Sequence, residues 1–414
     1  MRVLLAYSGG LDTSYLAAWL TREQACEVTT LSVDCGGWTA AEKREIQQRA
    51  LQLGAVEHLL VDARGELFDR VLRWLLAGNV RRGGVYPLSV GAERGLQAEM
   101  LARIAVERGF DAVAHGCTAA GNDQVRFEAA LSTIAPDLLA LAPVRDLAPS
   151  REEQREWLNA AGLPTPPAGG KYSVNAGLWG LTIGGGALHS SDQPLPEDAW
   201  QWTRGGKGEH TFAIGFEGGA PVSLDGRRMQ PVALIEQLNL DGGKLGIGRG
   251  YHLGDTVLGI KGRIAFEAPA AEILLAAHRE LEKLVLTEEQ RFWKDQLGEV
   301  YGRRLHQGLF HDPLQRDLEA FFASSQERVS GIATVHCRDG HLLVEGVSSP
   351  FSLMAASDAR YGERAQSGHD PRAAVGIARM LAQPGRLFRR AGESAASQAA
   401  LPASKPAPFV ETSA

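Results

Sequence analysis

The nine residues from Ala6 to Ser14 constrain the fold most, because they place a glycine pair between a strand-like and a helix-like run. Residues 3–6 form a short apolar stretch, and residues 12–21 carry apolar side chains at helical spacing. The string is Ala6-Tyr7-Ser8-Gly9-Gly10-Leu11-Asp12-Thr13-Ser14. Paired glycines let backbone N–H groups approach a ligand, and a helix N-terminus adds the positive end of its dipole. The pattern therefore predicts a phosphate-binding loop.

The polar side chains of this loop indicate which kind of ligand it could bind. Ser8, Thr13 and Ser14 supply hydroxyl donors. Asp12 would repel a bare phosphate, so its position predicts a contact with Mg²⁺ or a role in orienting the loop. A glycine turn before a helix is a common structural feature, but the whole string in this context favours nucleotide binding. No Gly-Lys-[Ser/Thr] follows, so this is not a Walker A loop. The string resembles the PP-loop of enzymes that cleave ATP between its α- and β-phosphates.

A second polar loop follows the strand-like run at residues 112–114 and opens a helix. It reads His115-Gly116-Cys117-Thr118-Ala119-Ala120-Gly121-Asn122-Asp123-Gln124-Val125-Arg126-Phe127. Asp123 would attract an ammonium group, and Arg126 is suited to a carboxylate or phosphate. Thr118 and Asn122 can donate to carboxylates, although an Asn-Asp pair is also a common helix cap. Because ligands bind at the carboxyl ends of parallel strands, we expect this loop beside the first one, binding an amino acid.

The composition and the residue patterns along the chain predict two domains and a tail. Strand-like and helix-like runs alternate over residues 1–165, which predicts an α/β domain with a parallel sheet covered on both faces. Glycine-rich stretches, including Gly242-Gly243, and short alternating runs over residues 166–387 predict an α+β domain. Residues 388–414 are rich in Ala, Ser and Pro, which predicts a disordered tail.

Composition excludes several classes of function. The chain has 414 residues and a net charge of −6, so it has no basic surplus that would favour a nucleic-acid partner. We find neither a secretion signal nor an apolar run of the ~18 residues that a membrane helix needs, so we expect a cytoplasmic protein. The four cysteines form no CxxC, which indicates reduced thiols, predicts no protein-held metal cluster and argues against tRNA-thiolating relatives.

Together, the two loops make the chain resemble the argininosuccinate synthases from Met1 to about Leu387. Weaker matches follow in the same order along the chain: Ala142-Pro143, Arg145, Tyr172-Ser173, Leu178-Trp179-Gly180, Gly246-Ile247-Gly248-Arg249, Glu267, Pro269 and Ser325-Gln326-Glu327-Arg328-Val329. The resemblance implies a homotetramer that binds ATP, citrulline and aspartate. The ureido oxygen of citrulline would attack the α-phosphate and release pyrophosphate, and the aspartate amine would then displace AMP. Catalysis would be mostly positioning and electrostatics.

The resemblance also assigns individual residues. ATP would be held by the first loop and two further residues: Ala6, Tyr7, Ser8, Gly9, Gly10, Leu11, Asp12, Thr13, Ser14, Val33 and Gly116. The two amino-acid substrates would be held by Tyr86, Arg94, Thr118, Asn122, Asp123, Arg126, Ser173 and Thr182. Within this set, Thr118, Asn122 and Asp123 would bind aspartate, while Tyr86 and Arg126 would contact citrulline. Catalytic roles would belong to Asp12, Asp123 and Arg126.

Several positions depart from the family pattern, mainly where the amino-acid end of citrulline would bind. The altered positions are Val90-Gly91, Ala119-Ala120, Asn175-Ala176-Gly177, Gly254 and Phe266. Gly254 aligns with a glutamate that meets the citrulline ammonium. Losing that carboxylate removes a charge-assisted hydrogen bond of roughly 1.5–3 kcal/mol. Asp255 could take its place if the alignment shifts by one residue.

Three functional hypotheses therefore stay open. The chain makes argininosuccinate with an altered citrulline site, or it performs the same aspartate-adding, AMP-forming chemistry on another ureido or carboxyl acceptor. The third hypothesis is a non-catalytic, nucleotide-binding relative, which the intact first loop disfavours. The general base is not identified by the sequence, since His115 at a strand end is a candidate but is more typical of a structural histidine.

Overall fold

A computed structural model describes residues 1–167, 170–368, 370 and 372–399 of the chain. The chain forms two compact units, Met1–Ser352 and the segment that starts at Leu353. Both polar loops lie in the first unit, together with all the residues predicted to bind substrate or nucleotide.

A five-stranded parallel sheet forms the N-terminal part, with the strand order β3-β2-β1-β4-β5. Its strands are β1 (Arg2–Ala6), β2 (Glu27–Asp34), β3 (Glu57–Asp62), β4 (Ala112–His115) and β5 (Leu139–Leu141). The strand order reverses between β1 and β4, and such a switch point opens a crevice at the carboxyl ends of the strands. The predicted parallel α/β fold is confirmed.

Helices cover both faces of this sheet. The helices of this part of the chain are α1 (Leu11–Arg22), α2 (Ala40–Gln52), α3 (Arg64–Leu67), α4 (Arg73–Ala77), α5 (Arg94–Glu107), α6 (Asp123–Ile134), α7 (Pro143–Leu147) and α8 (Arg151–Ala160). Of these, α1, α2 and α5 pack directly on the strands. Capping boxes begin α2 at Thr39 and α8 at Ser150, which satisfies backbone donors that a helix start leaves free. A π-helical turn, Phe68–Leu72, joins α3 to α4 in one helical segment.

Two antiparallel sheets follow, which confirms the mixed character predicted for the second part. One has four strands in the order β11-β12-β7-β6, and the other has five in the order β10-β9-β8-β13-β14. The strands are β6 (Ser173–Gly177), β7 (Gly180–Gly184), β8 (Glu209–Glu217), β9 (Ala220–Leu224), β10 (Arg227–Arg228), β11 (Arg249–Asp255), β12 (Lys261–Glu267), β13 (Gly331–Arg338) and β14 (His341–Ser348).

Four long helices belong to this part of the chain: α9 (Pro231–Lys244), α10 (Pro269–Val285), α11 (Glu288–His306) and α12 (Pro313–Gln326). The first two pack on the sheets, whereas α11 and α12 pack on each other and on α4. The interpretation of Gly242-Gly243 as a glycine-rich loop is wrong, because both residues are buried in α9. A Cβ at Gly242 would lie 2.9 Å from Ile273 Cδ1, and one at Gly243 would lie 2.8 Å from the Trp202 carbonyl oxygen. These glycines therefore permit close packing of a helix.

The second unit contains α13 (Ala373–Leu381) and α14 (Gln383–Ala399). The predicted disordered tail thus begins inside a helix, so the expectation of disorder is wrong for residues 388–399. Residues 400–414 lie outside the described part of the chain. Across the part of the chain that the structure describes, no helix combines the length and the apolarity needed to cross a membrane.

Candidate active site

The first loop joins β1 to α1 and is held in place from α2. Gly9 has a φ of +74°, and a Cβ there would lie 2.9 Å from Ile46 Cγ1. Arg49 Nη1 donates to the Gly9 carbonyl at 2.7 Å. Glycine is needed here for both the positive φ and the close approach of α2. The conformation of the loop is therefore fixed by packing before any ligand binds.

The loop presents backbone donors to its outer side. Gly10 caps α1 without a side-chain hydrogen bond to the first turn, so the N–H groups that open the helix lack side-chain partners. Ser8 and Thr13 lie at this end with their hydroxyls 3.2 Å apart. Ser14 is buried, and its hydroxyl lies 3.3 Å from that of Tyr7. Two of the three predicted hydroxyl donors thus face a ligand-accessible end, while Ser14 turns inward.

Asp12 is tied to a neighbouring helix. Its Oδ1 accepts a hydrogen bond from Gln154 Nε2 on α8 at 3.0 Å, and Gln154 is itself buried. Of the remaining predicted nucleotide residues, Leu11 is buried, while Ala6 and Val33 are half-buried near the carboxyl ends of β1 and β2. This geometry supports the orienting role predicted for Asp12.

The second loop packs directly on the first. Ala6 pairs with His115 across β1 and β4. A Cβ at Gly116 would lie 2.9 Å from Thr13 Cγ2 and 3.3 Å from the Thr13 backbone nitrogen. Only a residue without a side chain lets the two loops approach this closely. The adjacency expected for two loops at the carboxyl ends of parallel strands is confirmed.

His115 has the environment of a structural residue. Its side chain is 1% exposed, Nδ1 accepts from the Cys117 N–H at 3.4 Å, and Nε2 lies 3.5 Å from Glu128 Oε1. Burial lowers its pKa, with Glu128 acting in the opposite direction. The structure therefore favours the structural interpretation over the general base.

Asp123 lies between two arginines at the start of α6. Its Oδ2 accepts from Arg94 Nε at 3.0 Å, and its Oδ1 accepts from Arg126 Nη1 at 2.7 Å. Burial tends to raise the pKa of this carboxyl, but Arg94 and Arg126 outweigh burial and hold the pKa at about 2. Asp123 is therefore ionised at neutral pH, and its half-exposed side chain remains accessible to a cation.

Thr118 and Asn122 differ in how firmly the protein holds them. Asn122 Oδ1 accepts from the Val257 N–H at 2.9 Å, in the turn between β11 and β12. This bond leaves the Asn122 amide NH₂ free to donate to a carboxylate. Thr118 is exposed in the loop.

Two of the predicted citrulline residues, Ser173 and Thr182, share one face of the four-stranded sheet with the departures at Asn175 and Phe266. Phe266 pairs with Thr182, and Thr182 pairs with Asn175, so these three side chains form one row across β12, β7 and β6. Ser173 lies two residues from Asn175 and therefore on the same face. The Tyr86 ring packs on Phe266 with centroids 5.3 Å apart. The structure thus brings Tyr86, Ser173 and Thr182 to a common surface.

Asp255 does not replace the carboxylate missing at Gly254. Adjacent residues of a strand point to opposite faces, so the two positions cannot serve the same pocket. The Asp255 side chain is 63% exposed and pairs with Lys261 at 2.6 Å. The suggested rescue by an alignment shift is therefore wrong.

Sequence reasoning missed Glu93, which lies beside the predicted substrate residues. Its side chain is buried, Oε1 has no hydrogen-bond partner, and burial raises its pKa well above the usual range. A Cβ at Gly177 would lie 1.8 Å from this oxygen, so the carboxyl occupies the volume that a side chain at residue 177 would need. No motif marks Glu93, which stands directly before Arg94 in the sequence.

Arg82, His252 and His306 were also missed, and they surround Tyr86 and Arg126. The Tyr86 ring stacks on His252 with centroids 5.6 Å apart. Arg126 Nε donates to the His306 carbonyl at 3.0 Å. These residues come from three distant segments of the chain, so nothing local in the sequence indicates that they meet.

Two surface cavities lie away from all the predicted site residues. One, of about 360 Å³, is lined by residues that include Arg81, Arg279 and Leu343. The other, of about 370 Å³, includes Lys207, Arg249 and His341. Arg249 is already paired with Glu197 at 2.6 Å. We therefore place the candidate active site at the two loops and not at these cavities.

Comparison with known proteins agrees with this geometry. Residues 2–164 match the family model of the argininosuccinate synthase N-terminal HUP domain, and residues 172–388 match that of the C-terminal domain. The chain belongs to the argininosuccinate synthase family. Curated argininosuccinate synthases are similar: that of Methanocaldococcus jannaschii is 39% identical over 365 residues, 87% of this chain and 92% of its own. That of Symbiobacterium thermophilum is 38% identical over 403 residues, 95% of this chain and 99% of its own.

Membership of the argininosuccinate synthase family confirms the resemblance inferred from the two loops. The matches to both domain models cover the parallel-sheet part and the antiparallel part. The coverage of the relatives is nearly complete, so this chain carries both parts of the family architecture.

Proposed function

We propose that this chain is an ATP-dependent, AMP-forming carbon–nitrogen ligase that joins citrulline to aspartate and forms argininosuccinate. The observation that carries the proposal is the contact of Gly116 with Thr13, which brings the phosphate-type loop beside the Asp123 carboxylate. An adenylating ligase needs a nucleotide and an amine substrate at one crevice, and the switch point between β1 and β4 supplies that crevice. The curated relatives carry the name argininosuccinate synthase.

Each half of the crevice would perform one task. The outer N–H groups of α1, with the hydroxyls of Ser8 and Thr13, would bind the ATP phosphates. The Asp123 carboxylate would bind the aspartate ammonium, and the amide of Asn122 would donate to an aspartate carboxylate. Arg126 and Tyr86 would face the acceptor. The ureido oxygen would attack the α-phosphate with loss of pyrophosphate, and the aspartate nitrogen would then displace AMP and lose a proton.

Magnesium would enter with the nucleotide. Mg²⁺ takes oxygen ligands, keeps several waters and is often bound by one or two carboxylates plus substrate phosphates. In the described residues no group of three or more His, Cys, Asp or Glu side chains forms a site that could hold a metal on its own. Asp12 fits the role of the single protein carboxylate near the phosphates, with Gln154 fixing its Oδ1. The ion would neutralise charge on the departing pyrophosphate.

The assembly and location follow as further parts of the proposal. Apolar side chains that a homotetramer would cover are exposed on α13, including Val375, Ile377, Met380 and Leu381. The four cysteines are free thiols, which supports a reducing, cytoplasmic location. The net charge of −6 supports small-molecule substrates without a nucleic-acid partner. Domains would span residues 1–165 and 166–387.

A second candidate is the same chemistry on a different ureido or carboxyl acceptor. The observation in its favour is the absence of a carboxylate at Gly254, together with the wrong orientation of Asp255. A non-catalytic, nucleotide-binding relative is the third candidate, and nothing in the geometry of the first loop favours it.

The test is pyrophosphate release from purified full-length protein with ATP, Mg²⁺ and aspartate, with and without citrulline. Saturable stimulation by citrulline, and argininosuccinate detected by mass spectrometry, would support the main proposal. Release that needs aspartate and another ureido compound, but not citrulline, would support the second. No aspartate-dependent release with any acceptor would leave only the non-catalytic candidate.

A further inference from the structure

The end of β11 and the turn that follows it contact two segments of the candidate active site through their backbone. Arg82 Nη2 donates to the Asp255 carbonyl, and Arg82 exchanges backbone hydrogen bonds with Tyr86. Two residues further on, the Val257 N–H donates to Asn122 Oδ1 at 2.9 Å. This part of the antiparallel sheet is therefore attached both to the segment that carries Tyr86 and to the second polar loop.

Asn122 does not use its side-chain oxygen as its position in the fold would suggest. It directly precedes α6, where an asparagine side chain commonly accepts a hydrogen bond from the first turn of the helix. Its side chain forms no such cap. The amide oxygen instead accepts from Val257, which lies 135 residues further along the chain. The fold has therefore diverted this oxygen from the helix to the turn.

The bond to Val257 determines which end of the Asn122 amide faces the turn. A backbone N–H can only donate, so it must meet the amide oxygen, because the reverse orientation would bring two donors together. The amide NH₂ is thereby kept as a donor for another partner. In the reverse orientation the oxygen would take the place of the NH₂, and it would repel a substrate carboxylate.

The turn is closed by its own hydrogen bonds. The Thr256 N–H donates to the Ile260 carbonyl at 2.8 Å, and the Ile260 N–H donates to the Thr256 hydroxyl at 3.2 Å. The Gly259 N–H donates to the Thr256 carbonyl at 3.1 Å, and Gly259 has a φ of +81°. Val257 is thus the second residue of a four-residue turn. Its N–H is not needed to close the turn, so it can donate outward to Asn122.

We propose that the backbone N–H of Val257 is a positioning group for the aspartate substrate, because it holds the Asn122 amide in the orientation that donates to an aspartate carboxylate. The inference rests on the proposed function, in which aspartate binds at Asn122 and Asp123. It adds a determinant of aspartate recognition that lies outside both loops. Val257 acts through Asn122 and does not itself contact the substrate.

The first test removes this one N–H. Val257→Pro suits the second position of the turn, where proline is favoured. With the full-length protein, ATP, Mg²⁺ and citrulline, we expect the KM for aspartate in pyrophosphate release to rise about 3–10-fold, as for the loss of one hydrogen bond. The kcat and the KM for ATP should change little, because the first loop is not altered.

Two variants control for effects other than the lost N–H. Val257→Ala shortens the side chain and keeps the N–H, so the difference between Val257→Ala and Val257→Pro isolates the hydrogen bond. Leu258→Ala alters the next position of the turn, whose side chain is exposed, and it should leave the KM for aspartate unchanged.

The second test asks whether the effect passes through Asn122. Asn122→Ala alone should raise the KM for aspartate at least as much as Val257→Pro does. In the Asn122→Ala background, Val257→Pro should cause no further rise, because the acceptor of its hydrogen bond is already absent. Independent, additive rises in the double variant would show that Val257 acts through the general structure of the turn, and they would overturn the inference.

The outcomes separate this inference from the proposed function. An unchanged KM for aspartate in Val257→Pro, or equal rises in the KM for ATP, citrulline and aspartate, would overturn the inference while the ligase function stands. No aspartate-dependent pyrophosphate release from the unaltered protein would overturn both. If thermal unfolding shows that the proline variant is misfolded, the α-hydroxy acid analogue of valine at position 257 replaces the N–H by an ester oxygen. The same rise in the KM for aspartate is expected, and an unchanged KM would again overturn the inference.

Discussion

Removing the Asp123 carboxylate should abolish aspartate use without abolishing ATP binding. The carboxylate accepts from Arg94 at 3.0 Å and from Arg126 at 2.7 Å, and it is the acidic group placed to meet an ammonium. One charge-assisted hydrogen bond contributes roughly 1.5–3 kcal/mol, which is ~10–150-fold in binding. Asp123→Ala also removes the carboxylate that lies between the guanidinium groups of Arg94 and Arg126, so the loss should exceed this range.

Asp123→Asn removes the negative charge and keeps the size and shape of the side chain. It keeps one oxygen acceptor, so we expect a rise of ~10–150-fold in the KM for aspartate, with smaller losses than in Asp123→Ala. Because the pKa of Asp123 is about 2, its charge should be constant over the pH range of the assay, and aspartate binding should not titrate with this group.

Steady-state pyrophosphate release and isothermal titration with ATP would measure the two effects. Pyrophosphate release is measured at saturating ATP, and the titration with ATP is performed without aspartate. Unchanged turnover in Asp123→Ala would refute the assignment of the aspartate site. Loss of ATP affinity equal to the loss of turnover would show that Asp123 acts through the structure of the second loop, and the reasoning from its ionic contacts would then fail.

Three further predictions test the structure elsewhere. Gly116→Val should raise the KM for ATP, since its Cβ would lie 2.9 Å from Thr13 Cγ2. Gly121→Ala is the control, because the nearest contact of its Cβ would be 3.7 Å. Equal effects of the two variants on the KM would contradict the packing argument. The pKa of His306 is about 3 in the folded protein, below the ~6.5 of an unfolded histidine, so protons favour the unfolded state as pH falls. The free energy of unfolding should therefore fall between about pH 6.5 and 3, measured by urea denaturation, and His306→Asn should flatten that slope. Deletion of residues 373–414 should convert the proposed homotetramer to smaller species in light scattering, because exposed apolar residues of α13 such as Met380 are lost. An unchanged mass would exclude this segment from assembly.

Local patterns in the sequence were sufficient for the N-terminal fold. Strand and helix periodicity predicted β1, α1 and β4, and alternation along the chain implied a parallel sheet. Parallel strands place their carboxyl ends at one edge, so the expectation that the two loops are neighbours followed from topology alone. These features are determined by short-range preferences and by general rules of connection.

Other features needed the tertiary structure, because they depend on which distant residues share a space. The sequence predicted a loop at Gly242, but this residue lies in α9 and packs against α10. A glycine has no side chain that would indicate which residues pack against it. The disorder expected for residues 388–399 came from composition, yet α14 includes them. The orientation of Asp255 required the register of β11 with β12.

The sequence by itself determined that this protein has a nucleotide loop with a second polar loop beside it, since both motifs are contiguous in the chain. Only the tertiary structure decided what surrounds the acceptor. Arg82, His252 and His306 come from segments up to 224 residues apart, and they come together only in the folded chain. Burial and the neighbouring arginines lower the pKa of both His252 and His306, and this effect cannot be read from residue type.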